Sequence, residues 1–152
     1  MTPDQGTAVV SGALSMIGLT YAEYLAAKGF DLVLIAAHRA SLNMLASDLT
    51  TRTRRAVEVF VSDDATDMAD AAAKIDLDAS VSLVIEITEE RRHLSFDSEP
   101  PDLSADHGEA CQAITRAAIQ KFLSSGTGLA VYQAGVVITS SDSVDRHIWS
   151  VM

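Results

Sequence analysis

The stretch Val9-Val10-Ser11-Gly12-Ala13-Leu14-Ser15-Met16-Ile17-Gly18 decides how this chain is read, because it carries a strand into a helix through a turn that holds two glycines. Thr7 to Ser11 has the short apolar run of a strand, and Ile17, Tyr21, Tyr24 and Leu25 then recur at the i, i+4, i+7, i+8 spacing of a helix face. A turn of this kind suits a phosphate group. The first amides of the helix are unpaired, the helix end is partly positive, and glycine lets the backbone approach a pyrophosphate closely.

Reading outward, Gly29 closes the first helix, since a residue without Cβ takes the left-handed conformation at a helix end, and Asp31 to Ala36 follows as a buried-type strand. Leu42, Leu45, Ala46 and Leu49 mark the face of a second helix with Ser41 as its N-cap. Val57 to Ser62 is the third strand, Asp67 to Ile75 an alanine-rich helix and Val81 to Ile87 a fourth strand. Glu109 to Leu123 reads as a further helix, Leu129 to Thr139 as at least one further strand, and Val144, Ile148, Trp149 and Met152 as the apolar face of a last short helix. Strands alternating with helices need crossovers, so the expected fold class is α/β, a three-layer αβα sandwich whose mostly parallel sheet has about five strands. Thr88 to His107 interrupts the rhythm with six acidic side chains and the Pro100-Pro101 pair, and reads as a long loop.

The chain has 152 residues, with 11 Lys and Arg against 21 Asp and Glu, a formal charge of −10. One domain over 1–152 is expected, long enough to bury a core without a disulfide or metal staple. A single Cys111, with no signal peptide, membrane-length apolar run or lipidation motif in the sequence, predicts a cytoplasmic protein with no membrane partner. The acid excess argues against a nucleic-acid partner, because Lys28, Lys74, Lys121 and scattered arginines form no basic stripe.

The same stretch resembles the short-chain dehydrogenase/reductase family, whose opening reads Thr-Gly-x-x-x-Gly-x-Gly; Ser11, Gly12, Ile17 and Gly18 match it, with Ser for Thr. The resemblance continues through Leu32 to Ala36, Leu42 and Leu45, and Val57 to Asp67, where Asp64 matches the acid beside the adenine ring. It implies a Rossmann-like domain, an NAD(P) cofactor, and Ser11, Gly12, Ser15, Ile17, Gly18, Arg39 and Asp64 as the cofactor-binding residues. Several positions depart from the family pattern. Met16 replaces the middle glycine and is expected to project toward the pyrophosphate space, so that NAD(P) binding is weak or lost. Ala37 stands where many members carry an Arg for the NADP 2′-phosphate; His38 and Arg39 either substitute for it or form a solvated loop. Ile85-Glu86-Ile87-Thr88 replaces Asn-Asn-Ala-Gly.

The family's catalytic Ser falls on Gly135 in one register and near Ser140 or Ser141 in another, and the sequence ends at Met152, at or before the place for Tyr-x-x-x-Lys. Tyr24-Leu25-Ala26-Ala27-Lys28 has that spacing but lies on the first helix, with Tyr24 on its apolar face, and is read as chance. No catalytic residue is assigned. His38, His93, His107 and His147 show no ligand spacing, so no metal is expected, and Cys111 reads as a small buried hydrophobe. Glu86 either marks a cleft or sits at the exposed end of its strand. Leu129 to Thr139 is expected near a sheet edge, with Val136, Val137 and Ile138 covered by another subunit, a second copy or a relative in the same family. The resulting expectation is a truncated, degenerate family member, a pseudoenzyme or accessory subunit acting through a homo- or hetero-oligomer. The alternatives are an NAD(P)-dependent oxidoreductase completed by a partner chain, and a non-redox enzyme that reuses the crevice.

Overall fold

A computed structural model describes residues 6–87, 114, 117, 118, 120, 121, 129–133 and 136–140. The elements are β1 (Thr7–Ser11), α1 (Met16–Ala27), β2 (Asp31–Ala36), α2 (Arg39–Thr53), β3 (Val57–Val61), α3 (Ala65–Leu77), β4 (Val81–Ile87), β5 (Leu129–Gln133) and β6 (Val136–Ser140). The strands lie in the order β3-β2-β1-β4-β6-β5. Neighbours among the first four are parallel, joined through helices, whereas β6 runs antiparallel to both β4 and β5.

The α/β, Rossmann-like class therefore holds, with four parallel strands and an antiparallel pair beside them. Parallel strands buried on both faces read as unbroken apolar runs, and β1, β2 and β4 do so. One face carries Ala8, Val10, Leu32, Leu34, Leu83 and Ile85 against Ala22, Leu25 and Leu42, Leu49 of α1 and α2. The other carries Val9, Val33, Ile35, Phe60 and Val84 against Met68, Ala71 and Ile75 of α3, with Ile114 and Ala118. Each such Leu or Ile buried in full contributes roughly 1.5–3 kcal/mol, and the two faces together make the sheet the centre of the fold.

Local chemistry sets the helix ends. Gly29, at φ +101°, follows α1 as expected and its amide donates to the Ala26 carbonyl. Helix α2 starts earlier than Ser41: its N-cap is His38, which makes no side-chain capping bond. Helix α3 starts at Ala65 rather than Asp67, because the Asp64 carboxylate accepts from the amides of Thr66 and Asp67 at 2.9 and 3.1 Å.

The expected placement of Val136, Val137 and Ile138 at the edge is corrected. They belong to β6, which lies between β4 and β5, so β5 is the outer strand. The loop 88–107, Cys111, Gly135, Ser141 and the last helix lie outside the described residues.

Candidate functional site

In a sheet ordered β3-β2-β1-β4 the chain moves one way from β1 to β3 and then crosses back to β4, which makes the β1/β4 boundary the switch point. Ligands of open α/β sheets bind in the crevice outside the carboxyl ends of the strands at that boundary. The turn from β1 into α1 opens here. Gly12 and Ala13 donate their amides to the Ile35 carbonyl at 2.9 and 3.1 Å, which fixes the turn to the end of β2. Gly12 sits at φ +80°, and a Cβ on it would lie 2.7 Å from the Ile87 carbonyl oxygen, so this position admits only glycine.

Ser15 is the N-cap of α1 and bridges the turn to the helix. Its hydroxyl donates to the Gly12 carbonyl at 2.8 Å and accepts from the Gly18 amide at 3.0 Å. Gly18 packs so closely that a Cβ there would lie 2.1 Å from the Gly12 oxygen. In the first turn of α1 the amides of Met16 and Ile17 have no intrahelical acceptor, and the helix dipole makes this end partly positive. Met16, the first residue of α1, is 85% exposed, and Ile17 is half exposed beside it. The β1–α1 turn is therefore tightly built, and the helix that follows it begins with an exposed, long apolar residue.

The remaining rim comes from β2, β3 and β4. Arg39 begins α2 and donates from Nη2 to Asp67 Oδ2 at 2.6 Å, and the same oxygen accepts the Val61 amide at 2.8 Å. One carboxylate thus ties the end of β3 to the start of α2. Glu86 is only 3% exposed, which overturns its reading as an exposed strand end. It lies in register with Ser11 of β1, itself buried, and with Val137 of β6, which places an acid inside the sheet next to the switch point.

No protein-family model matches the chain. Over 63 residues it is 40% identical to the very-long-chain 3-oxoacyl-CoA reductase of Scheffersomyces stipitis, a stretch that makes up 41% of this chain and 18% of that protein. Among solved structures it is similar to the bulky-bulky ketone specific alcohol dehydrogenase of Comamonas testosteroni, with 27% identity and a TM-score of 0.65 over 80% of this chain and 52% of that one. A short-chain dehydrogenase from Sphingobium yanoikuyae in complex with NADPH gives 27% identity and a TM-score of 0.56, over 80% and 50% of the two chains. The chain is thus similar to short-chain dehydrogenase/reductases, in sequence over that stretch and in fold over most of its length. It spans about half the length of those solved dehydrogenases.

Within the dehydrogenase/reductase framework the sequence-derived residues fall at one end of the sheet. Ser11, Gly12, Ser15, Ile17 and Gly18 form the β1–α1 turn, while Arg39 and Asp64 lie beyond β2 and β3. The carboxylate of Asp64 is engaged as the α3 N-cap, and Arg39 is engaged with Asp67. Tyr24 packs partly buried against the core, as its place on the apolar face of α1 predicts. Asp67 was the residue that sequence reading missed. Its signal was an acid in the first turn of α3 facing an arginine in the first turn of α2, two helices that start from neighbouring strands. Among the described residues no group of three His, Cys, Asp or Glu is arranged to hold a metal, and no helix is long and apolar enough to cross a membrane.

Proposed function

We propose that this chain is a dehydrogenase-derived subunit that transfers no hydride by itself and acts through association with a second copy or with a catalytic relative. The observation that carries the reading is Met16. The amides at the start of α1 are the part of the crevice that a pyrophosphate needs, and the family's glycine there leaves them open, whereas Met16 places an exposed thioether chain beside them. Glu86 supports the same reading. A buried acid stands at the switch point where the family pattern has an Asn that supports the cofactor.

NADPH titration of the wild-type chain and of Met16→Gly, followed by calorimetry, tests this. The wild type is expected to show no saturable binding up to about 1 mM, and Met16→Gly to gain at least about tenfold in affinity. Native mass spectrometry of the protein purified from its host is expected to show an empty chain in an oligomer. Micromolar NADPH binding by the wild type overturns the proposal. That outcome favours the second reading, an NAD(P)-dependent oxidoreductase completed by a partner chain, which the intact Gly12–Ser15–Gly18 turn supports.

A further inference from the structure

The sheet has two outer strands, β3 and β5, and they differ in how their edges are guarded. On β3 the Leu32 amide donates to the Ala56 carbonyl and the Ser62 amide to the Ala36 carbonyl, so the even-numbered residues bond to β2 and Val57, Val59 and Val61 turn their backbone groups outward. The outward amide of Val61 is taken by Asp67 Oδ2 at 2.8 Å, and Glu58 stands mid-strand, half exposed and paired with Lys74. A capped amide and a charge on an edge both resist pairing with another strand. Strand β5 is Leu-Ala-Val-Tyr-Gln, with no charge and no proline, and among the described residues no strand lies beyond it. Which of its backbone groups face outward follows from the hairpin. The hydrogen bond that closes a two-residue connection joins Gln133 to Val136, so Gln133, Val131 and Leu129 bond to β6, while Ala130 and Tyr132 turn their N–H and C=O away from it.

We propose that the outer edge of β5 pairs with β5 of a second copy of this chain, antiparallel and about a two-fold axis at Val131. The pattern is self-complementary: Ala130 of one copy faces Tyr132 of the other, and each facing pair exchanges both of its N–H···O=C bonds. Val131 then lies opposite its own copy as the non-hydrogen-bonded pair. Charge argues for the same place. Each copy carries −10, so two copies repel over most of their surfaces, and an uncharged edge lets them meet with no carboxylate in the pairing. Strand β3 does not fit itself in this way. A two-fold at Glu58 sets like charges face to face, and one at Val59 requires the Val61 amide that Asp67 already holds. A five-residue strand pair buries less than a stable interface needs, so the dimer is weak and concentration-dependent. This inference rests on the reading that the chain acts through association, and it names the partner and the surface.

Sedimentation equilibrium of the full chain, with disulfide trapping in a Cys111→Ser background, tests the pairing. The wild type is expected to pass from monomer to dimer as concentration rises. Ala130→Pro, which removes an outward amide and no bond to β6, is expected to weaken the dimer at least about tenfold. Val131→Cys is expected to give a disulfide-linked dimer in oxidised glutathione, because a non-hydrogen-bonded pair sets its Cα atoms about 4.5 Å apart. Ala130→Cys and Tyr132→Cys, each about 8 Å from its own copy, and Val59→Cys on the guarded edge are expected to give none. Circular dichroism melts confirm that the variants fold. A wild type that stays monomeric up to about 1 mM, which means that another part of this chain or a different partner covers the edge, overturns the inference. So does a dimer unmoved by Ala130→Pro, or trapping that does not favour position 131. A dimer that forms without trapping there leaves the association reading standing and removes only this surface, and NADPH titration tests that reading independently.

Discussion

Replacing Gly18 by alanine separates two rules that predict opposite signs. Gly18 lies in the third helical position of α1 with ordinary helical backbone, and in an exposed helix interior Gly→Ala stabilises by about 1 kcal/mol. Here the new Cβ would lie 2.1 Å from the Gly12 carbonyl oxygen and 2.9 Å from Ala13 Cα, both backbone atoms. Ordinary contact begins at 3.4 Å, so helix and turn must separate by about 1.3 Å. The Gly12 oxygen that would be displaced accepts from the Ser15 amide at 3.1 Å and the Ser15 hydroxyl at 2.8 Å. Overpacking of this kind costs about 1–3 kcal/mol, and each weakened hydrogen bond adds about 1 kcal/mol. Net of the helix gain, Gly18→Ala is expected to destabilise by about 2–4 kcal/mol. In urea unfolding followed by far-UV circular dichroism, a slope of about 2 kcal/mol/M converts that loss into a midpoint about 1–2 M lower. An unchanged or higher midpoint with the same slope would show that the turn and α1 are not packed as described.

Arg54 offers the opposite substitution. It ends α2 at φ +60°, a left-handed conformation unfavourable for a side chain, so Arg54→Gly is expected to stabilise by about 0.5–1 kcal/mol and raise the melting temperature by about 2–4 °C; a lower melting temperature would refute the strain. Asp78 governs an acid-sensitive contact at the other end of the sheet. Hydrogen bonds from the Ser80 hydroxyl and amide, with Lys74 nearby, hold its carboxyl below its ordinary value of 3.8. The folded state therefore favours the carboxylate, and this stability is present above the unfolded value and lost as pH falls through the folded one. The stability difference between wild type and Asp78→Ala is expected to shrink as urea midpoints are measured from about pH 6 down to about pH 3; a constant difference excludes the carboxylate as its source.

The parallel half of the fold was legible because burial on both faces leaves a continuous apolar signature in Thr7–Ser11, Asp31–Ala36 and Val81–Ile87. Helix starts were less so. Ser41 is a good N-cap by type, yet α2 begins at Arg39, where the contact with Asp67 lies across 28 residues of sequence and leaves no local trace. The antiparallel β5–β6 pair had a signal: only Ala134 and Gly135 separate Gln133 from Val136, a hairpin length. Leu129 to Thr139, read as at least one further strand, divides there into two. Glu86 stayed between two readings because a single acid among Ile85 and Ile87 carries no information about depth, which depends on β6 lying alongside β4.

At the β1–α1 turn, the residues that match the family and the one that departs from it have different physical causes. Gly12 and Gly18 are fixed by the fold itself: a Cβ on either would collide with backbone oxygen, whether or not any nucleotide is present. Ser15 is likewise fixed, because it caps the helix and holds the Gly12 carbonyl. These residues would persist in a chain that had stopped binding dinucleotides, so their retention alone does not identify a cofactor. Position 16 is different. Its side chain is exposed, nothing in the packing demands glycine there, and only a ligand drawn close to the first amides of α1 would exclude a long side chain. On the proposed reading it is therefore Met16 whose identity bears on the ligand rather than on the fold, so Met16→Gly discriminates between the two functional readings, whereas substitutions at Gly12 or Gly18 disturb the turn itself.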